Sequence, residues 1–272
     1  MKTLKIKNLK FGTCPIIFHH HGRPSLNEVG YKIKRQFFNY IAPSFPENFF
    51  KDTKNKREIY PSPICHGKEA VEDLSIVLFS NYPWKGSGRL SLEHFGLDYS
   101  VIGQDVQGFK HINKMQELMR FSKDCRSNYI LYIDDPDLFC ISKLGDIVSR
   151  FKKFNCKMLF QGDGWFYPRS NSELAKKTKS FLDNLRPDSP YKYLNSGAFI
   201  FETNFFNNVS DSIINGESYN KDICQSTYMS AFPHLYPETK IDYRCEIFQS
   251  TAWSKWFTER YGSLDFEITG KE

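Results

Sequence analysis

The sequence contains no CxxC pair and no long apolar run. Its 272 residues include seven cysteines, an odd number, which are scattered along the chain. This pattern argues against a zinc ribbon or a disulfide framework and favours a reducing compartment. No apolar stretch reaches the roughly 18 residues that a membrane-spanning helix needs. The N-terminal residues alternate apolar and basic side chains, so we expect no signal peptide, no secretion and a cytoplasmic location.

The charge balance lacks an acidic excess. Lys and Arg number 37 against 31 Asp and Glu, which gives a formal net charge of +6. This excess is compatible with a phosphate-bearing partner, although the same charge spread over a whole surface is also ordinary solvation. With 40% hydrophobic and 25% charged residues, the chain has the composition of a globular protein, and its length can bury a full core.

Apolar runs alternate with helical periodicities along most of the chain. The runs at 74–79 and 129–133 predict buried strands, and apolar residues three and four apart predict helices at 25–41 and 109–119. Shorter predicted elements are a helix at 144–154, a strand at 157–160, a helix capped at Ser170 and stopped by Pro187, a strand at 198–201 that follows Asn195-Ser196-Gly197, and helices at 205–214 and 222–232. This alternation predicts an α/β domain with a largely parallel sheet.

The two ends of the chain carry complementary patterns. Residues 4–7 alternate apolar with basic side chains, and residues 264–268 alternate apolar with acidic ones. Paired antiparallel, they would bury one apolar face and set acidic side chains opposite lysines. The alternative is two unrelated edge strands. Pairing would make the two ends of the chain neighbours in space.

Three carboxylates follow the predicted strand YILYI. Asp134, Asp135 and Asp137 lie at its carboxyl end, which is where α/β sheets bind ligands. Carboxylates this close repel each other unless a cation lies among them, and a hard divalent metal held there can bind a diphosphate. The alternative is a turn with helix-capping acids, which Pro136 would favour.

Three histidines end an apolar run near the start of the chain, in the stretch PIIFHHHGRP (15–24). A purification tag is a weak explanation, because a good predicted strand precedes them. One imidazole with two carboxylates is a plausible metal-binding set. The alternative is a group of surface histidines at a strand end.

Six segments, in order over about 74–251, resemble the glycosyltransferase domain of the procollagen lysyl hydroxylases and the related collagen galactosyltransferases. The segments are LSIVLFS, QGFKHINKMQEL, YILYIDDPDLF, MLFQGDGWFYP, YKYLNSGAFIF and IDYRCEIFQS. The resemblance implies a GT-A fold, which is a Rossmann-like α/β fold with a mixed, mostly parallel sheet. It also implies a UDP-sugar donor and Mn²⁺, or Mg²⁺, as cofactor.

The resemblance also implies roles for individual residues. It puts Asp134, Asp137 and His19 on the metal, with His20 as an alternative because the register is uncertain by one residue. It assigns donor contacts to Leu78, Ser80, Lys110, Asp134, Asp135, His21, Gly22 and Arg23. It assigns catalytic roles to Asp163, Asn195 and Asp222, and acceptor contacts to Trp165, Tyr167, Ser196, Gly197 and Gln225.

The order of the segments departs from that of the family. There the histidine ligand lies in a C-terminal segment, P-I-V-V-H-G-N-G-P, whereas the similar stretch here precedes the first strand. We therefore expect a circular permutation within a single domain spanning 1–272. Residues 1–42 would be the family's C-terminal segment, 43–72 a connection, and 73–272 the nucleotide-sugar and acceptor core. Paired chain ends fit this expectation.

The acceptor region also departs from the family. A run of aspartates before a glutamine is reduced here to Asp222 and Gln225, so Asp163 becomes the better candidate for an acid or base. An ordinary turn aspartate is the alternative for Asp163, since glycines flank it. The resemblance suggests retention at the anomeric carbon.

The prediction of the acceptor rests on the composition of the chain and on its expected compartment. A basic chain without a secretion signal, with a composition like that of many bacteriophage proteins, favours 5-hydroxymethylpyrimidine bases in double-stranded DNA. Such a base would be flipped into a pocket and stacked on aromatic side chains such as Trp84, Trp165 and Tyr167. The alternatives are a hydroxylysine-type protein or glycan acceptor, and an inactive module that binds nucleotide sugars.

Overall fold

The computed structural model describes residues 3–20, 28–41, 71–82, 85–186, 188–251 and 266–271. The strands are β1 (Thr3–Asn8), β2 (Ile17–His19), β3 (Leu74–Phe79), β4 (Ser100–Ile102), β5 (Tyr129–Asp134), β6 (Leu138–Cys140), β7 (Met158–Asp163), β8 (Tyr193–Glu202), β9 (Thr239–Asp242), β10 (Phe248–Ser250) and β11 (Phe266–Lys271). The helices are α1 (Glu28–Ile41), α2 (Ser87–His94), α3 (Ile112–Asp124), α4 (Ile147–Lys152), α5 (Glu173–Leu185), α6 (Thr203–Asn215) and α7 (Cys224–Leu235). None of the helices in these ranges is long and apolar enough to cross a membrane.

A six-stranded sheet in the order β4-β3-β5-β8-β7-β9 forms the centre of the fold. The β3–β4, β3–β5 and β7–β9 pairs are parallel, whereas β8 runs antiparallel to both of its neighbours. The sheet is therefore mixed and mostly parallel, as the sequence predicted. The carboxyl ends of β5 and β7 lie at the same edge, because β8 is antiparallel to both strands.

Apolar side chains cover both faces of this sheet. Along β5, Leu131 and Ile133 belong to one buried cluster, whereas Ile130 and Tyr132 belong to the other. Alternation on a pleated strand explains this division. Since both faces are buried, the strand reads as a continuous apolar run rather than an alternating one.

A three-stranded sheet, β10-β2-β6, lies beside the central one. Strand β2 pairs parallel to β10 and antiparallel to β6, with His19 opposite Leu138. Because β6 begins four residues after the end of β5, this pairing brings the N-terminal part of the chain to the carboxylates that follow β5. Neither the strand at 138–140 nor helix α2 was predicted, because both are short and lack a clear periodicity.

The ends of the chain form a two-stranded antiparallel ribbon. Strand β1 pairs with β11, which sets Ile6 opposite Ile268 and Lys7 opposite Glu267. This confirms the predicted pairing over the residues described, and Leu264 and Asp265 lie outside them. The two described ends of the chain are therefore neighbours in space.

Several predicted boundaries differ from the structure. Helix α4 spans six residues rather than the predicted 144–154, and α5 is capped by Ser172 rather than Ser170. The hydroxyl of Ser172 accepts a hydrogen bond from the Ala175 N–H at 3.2 Å, which satisfies one of the free donors of the first turn. Most of the predicted 43–72 connection, and the predicted helix start at 25–27, lie outside the described residues.

Candidate active site

A cavity of about 350 Å³ opens at the carboxyl ends of β5 and β7. The residues from the sequence prediction that line it are His19, Asp134, Asp137, Asp163, Trp165, Tyr167, Asn195, Ser196, Gly197 and Gln225. His111, Lys114, Ile223 and Cys224 also line it and were not predicted. The cavity therefore joins residues from the N-terminal strand β2 with residues from the central sheet and α7.

His19 is held in the cavity wall by contacts on two sides. Its Nε2 lies 3.3 Å from Oδ2 of Asp137, and its Nδ1 lies 2.8 Å from Oε1 of Gln161. An amide oxygen only accepts, so Nδ1 carries the proton and, in the neutral ring, the Nε2 lone pair points toward Asp137. Burial opposes the charged form, but the charge and hydrogen bond of Asp137 outweigh it and raise the pKa of His19.

His20 points away from the cavity. Its side chain is buried, and its ring centroid lies 5.9 Å from that of Phe139. Burial, together with the charge of Lys34, holds the pKa of His20 well below its usual value. Of the two alternatives for a metal ligand, the structure brings His19 into the cavity. His21, Gly22 and Arg23 lie outside the described residues.

Asp134 ends β5 and is paired with a lysine. Its Oδ2 lies 2.6 Å from Nζ of Lys114, and its Oδ1 accepts a hydrogen bond from the Tyr132 hydroxyl at 2.8 Å. Burial disfavours the ammonium ion, but the charge of Asp134 outweighs it and raises the pKa of Lys114. The cavity wall thus contains a partly buried, charged ammonium group next to a carboxylate.

Lys110, which the sequence assigned to the donor, does not line the cavity. It is exposed, and its backbone N–H donates to Oδ1 of Asn113 at the start of α3. Lys114 lies four residues later, one helical turn along, and reaches the cavity together with His111. The helical periodicity of 109–119 was a signal for this choice, because Lys114 lies one turn before the buried Leu118 and therefore on the same face of the helix.

Asp135 lies beneath the cavity rather than in its lining. It is fully buried, its Oδ2 lies 2.7 Å from Nε of Arg89, and it accepts the N–H groups of Arg89 and Gly86. The carboxylate therefore anchors the start of α2. Direct contact with a nucleotide, as predicted, does not fit a side chain that is closed off on all sides.

The two donor residues predicted on β3 are also inside the protein. Leu78 is fully buried in the apolar cluster. The hydroxyl of Ser80 accepts a hydrogen bond from Nη2 of Arg89 at 3.1 Å and is buried with it. Neither residue lines the cavity, because β3 is covered at this end by α2.

Asp163 and Asn195 form one side of the cavity. Oδ2 of Asp163 accepts a hydrogen bond from Nδ2 of Asn195 at 2.8 Å, and Oδ1 of Asn195 accepts one from the Gly197 N–H at 2.8 Å. The register between β7 and β8 shifts at this point, so Gln161 pairs with Asn195 whereas Phe160 pairs with Phe199. Asn195, Ser196 and Gly197, which lie at this bulge, all line the cavity, and bulges near functional sites commonly redirect side chains in this way.

Gln225 links the acceptor-side segments. Its Oε1 accepts a hydrogen bond from the Ser196 N–H at 3.4 Å, and its Nε2 donates to the Tyr167 carbonyl at 2.9 Å. Trp165 and the exposed Tyr167 form the aromatic rim, and the guanidinium carbon of Arg169 lies 4.4 Å from the Trp165 ring centroid. Trp84 lies outside the described residues.

Asp222 lies outside the cavity. It precedes α7 and is exposed, whereas the next three residues face inward and line the cavity. One of them is Cys224, and burial raises the pKa of its thiol, so the thiol is neutral and does not replace a carboxylate. The catalytic role predicted for Asp222 does not fit this position.

The metal ligands proposed from the sequence are only partly assembled. Within the described parts of the chain, no group of three His, Cys, Asp or Glu side chains is close enough together to hold a metal ion. His19 and Asp137 are within 3.3 Å of each other, while Asp134 in the same cavity is paired with Lys114. A third ligand would require Asp134 to exchange the lysine for the metal.

A comparison with protein-family models identifies a domain family in this chain. The family model described as the PLOD GT domain matches residues 87–255, which is more than half of the chain. The match includes every residue that lines the cavity except His19. No curated protein matches the chain.

Proposed function

Because this chain belongs to the PLOD GT domain family of glycosyltransferases, we propose that it moves a sugar from a UDP-sugar to 5-hydroxymethylpyrimidine bases in DNA. The proposal requires a donor site with a divalent metal and an acceptor site that admits one base. Family membership supports the transferase class and a nucleotide-sugar donor. The metal rests on the chemistry of the cavity and the UDP group on the family resemblance. The DNA acceptor rests on the basic composition of the chain and on the aromatic side chains at the cavity rim.

The short distance between His19 and Asp137 is the main observation that supports the proposed donor site. The two side chains come from distant parts of the sequence, one near its start and one near its middle, and meet at 3.3 Å in a cavity that also contains Asp134. Placing an imidazole and two carboxylates together at a strand end is energetically unfavourable, because these groups lose contact with water. Such a set is typical of a metal–diphosphate site.

His19, Asp134 and Asp137 fit a divalent ion such as Mn²⁺ or Mg²⁺ in the chemistry of their donor atoms. The hydrogen bond from Nδ1 to Gln161 gives His19 the tautomer that a metal ligand requires. When bound, the ion would neutralise the negative charge that develops on the departing UDP. Lys114, once released from Asp134, would add positive charge near the same phosphates.

The acceptor half of the cavity is formed by Asp163, Asn195 and the aromatic rim. Asp163 is held by Asn195 and by the Trp165 N–H, so its carboxylate has a fixed orientation toward the cavity. In the proposed reaction it accepts the proton of the acceptor hydroxyl, directly or through water. Trp165 and Tyr167 offer faces on which a flipped base can stack.

The circular permutation belongs to the same proposal. The family match begins at residue 87, yet the histidine closest to Asp137 comes from β2, before that match. Strand β2 pairs with β10, which lies near the end of the match, and the ends of the chain pair as β1 and β11. These pairings support a family C-terminal segment, about residues 1–42, that has moved to the N-terminus.

UDP release tests the proposed function. The reaction contains Mn²⁺, a panel of UDP-sugars, and duplex DNA with or without 5-hydroxymethylcytosine. Release that requires the hydroxymethylated DNA is the expected result. Release with hydroxylated peptides or glycans, but not with DNA, would overturn the acceptor assignment and keep the donor site. No release with any sugar or acceptor would instead favour an inactive nucleotide-sugar-binding module.

A further inference from the structure

A second cavity, of about 600 Å³, adjoins the active-site cavity and shares Trp165 as a wall. We call it the cationic groove, and it lies between the loop 164–171, helix α5 and the start of β8. Its charged lining consists of Arg169, Lys176, Lys179, Lys192 and Asp183. Four cationic side chains thus face one carboxylate, a far stronger local excess than the +6 of the whole chain.

The single carboxylate of the groove is already occupied. Asp183 lies 2.5 Å from Nζ of Lys179 and accepts a hydrogen bond from the Tyr193 hydroxyl at 2.7 Å. This pairing cancels one positive and one negative charge. Arg169, Lys176 and Lys192 therefore set the charge of the groove.

These three cations are available to a ligand. Lys176 pairs with Glu173, but both side chains are mostly exposed, and such a pair contributes little and exchanges readily with an anion. Arg169 and Lys192 have no ion-pair partner within 4 Å among the described residues. Arg169 lies over the Trp165 ring, which leaves its planar guanidinium at the junction of the two cavities.

We propose that the cationic groove binds the sugar–phosphate backbone of the DNA acceptor while the target base enters the active-site cavity past Trp165. This inference rests on the proposed function. A flipped base reaches a pocket only if the neighbouring backbone is held, and lysine and arginine side chains hold phosphates by replacing their counterions. The shared wall at Trp165 brings the backbone site and the base site next to each other.

The salt dependence of DNA binding tests this assignment. Affinity for a fluorescent duplex containing 5-hydroxymethylcytosine is measured by anisotropy over a series of salt concentrations. Each phosphate contact contributes about 0.9 to the slope of log affinity against log salt, so Lys176→Gln with Lys192→Gln should lower the slope by about 2. The matched control is Lys123→Gln with Lys153→Gln, since these exposed lysines lie outside both cavities and should leave the slope unchanged.

The outcomes separate this inference from the proposed function. If the unchanged protein glycosylates the DNA but the groove variant keeps its full salt slope, only the groove assignment fails. If the control variant loses as much slope as the groove variant, the binding is general surface attraction and the assignment also fails. If the groove variant binds heparin more weakly but DNA equally well, the groove holds a different polyanion. If UDP release never requires DNA, the acceptor proposal fails on that measurement alone.

Discussion

The imidazole of His19 lies directly against the backbone of Gly197. A Cβ atom at residue 197 would be 2.7 Å from Cε1 and 3.2 Å from Nδ1 of His19. Glycine is therefore required here by close approach rather than by an unusual backbone angle. Gly197 packs against one side of the imidazole ring, and Gln161 is hydrogen-bonded to Nδ1. Together the packing and the hydrogen bond fix the direction in which Nε2 points.

Gly197→Ala should reduce UDP release by about 10-fold or more, because the new methyl group displaces the imidazole and small misplacements in a site cost up to about 100-fold. Activity and the thermal midpoint are measured together. Gly145→Ala is the matched control, since a Cβ there meets no atom within 4 Å. Equal activity in the two variants would show that the position of His19 does not matter for turnover.

Asp137→Asn and Asp222→Asn make the same chemical change at two different positions. Asp137 lines the cavity next to His19, whereas Asp222 is exposed outside it. We expect Asp137→Asn to abolish Mn²⁺-dependent UDP release, because an amide is a far poorer ligand for a hard cation than a carboxylate. Asp222→Asn should keep nearly full activity. The reverse result would return the catalytic role to Asp222 and remove Asp137 from the donor site.

The cavity could be predicted from sequence where a motif and a strand end coincide. Asp134 and Asp137 follow a continuous apolar run, and Asn195 to Gly197 interrupt another, so their placement at one sheet edge follows from the strands. His19 is a harder case, because metal-ligand chemistry and the resemblance to a segment from elsewhere in the family connected it to these residues, whereas no strand pattern did. The pairing of β2 with β6 supplies the physical link, and 138–140 showed no strand pattern of its own.

Three of the predicted donor residues lie outside the cavity lining for one shared reason. Leu78, Ser80 and Asp135 adjoin motif positions, but helix α2 covers them, and that helix has no apolar periodicity to reveal it. Its start approaches Asp135 so closely that a Cβ at Gly86 would be 2.3 Å from the Asp135 carbonyl oxygen. Lys110 and Asp222 precede helices by a few residues, where a change of one turn decides whether a side chain points into the cavity or into solvent.

Gln161→Leu tests the hydrogen bond that orients His19. Gln161 is fully buried, and leucine has a similar volume but cannot accept from Nδ1. Loss of such an outer partner typically lowers metal affinity by 10–100-fold, so we expect weaker Mn²⁺ binding by titration calorimetry. Gln161→Glu keeps an acceptor and should retain more of the affinity. Equal Mn²⁺ affinity in the leucine variant would contradict an orienting role.

Asp242 makes the stability of the site region depend on pH. It is fully buried at the end of β9, and its oxygens accept the N–H groups of Glu246, Ile247 and Phe248, which lead into β10 and so support β2. Burial outweighs these hydrogen bonds and raises its pKa from 3.8 to about 6.

The raised pKa of Asp242 means that the folded protein binds a proton that the unfolded chain has already lost. Its contribution to the free energy of unfolding is therefore fully present below about pH 4 and is lost as the pH rises through about 6, at a slope of up to about 1.4 kcal/mol per pH unit. Asp242→Asn removes this group, so urea unfolding of the variant should lack that part of the decline between pH 4 and 6. Parallel pH profiles for the two proteins would mean that Asp242 stays ionised throughout, held so by the three N–H donors despite its burial.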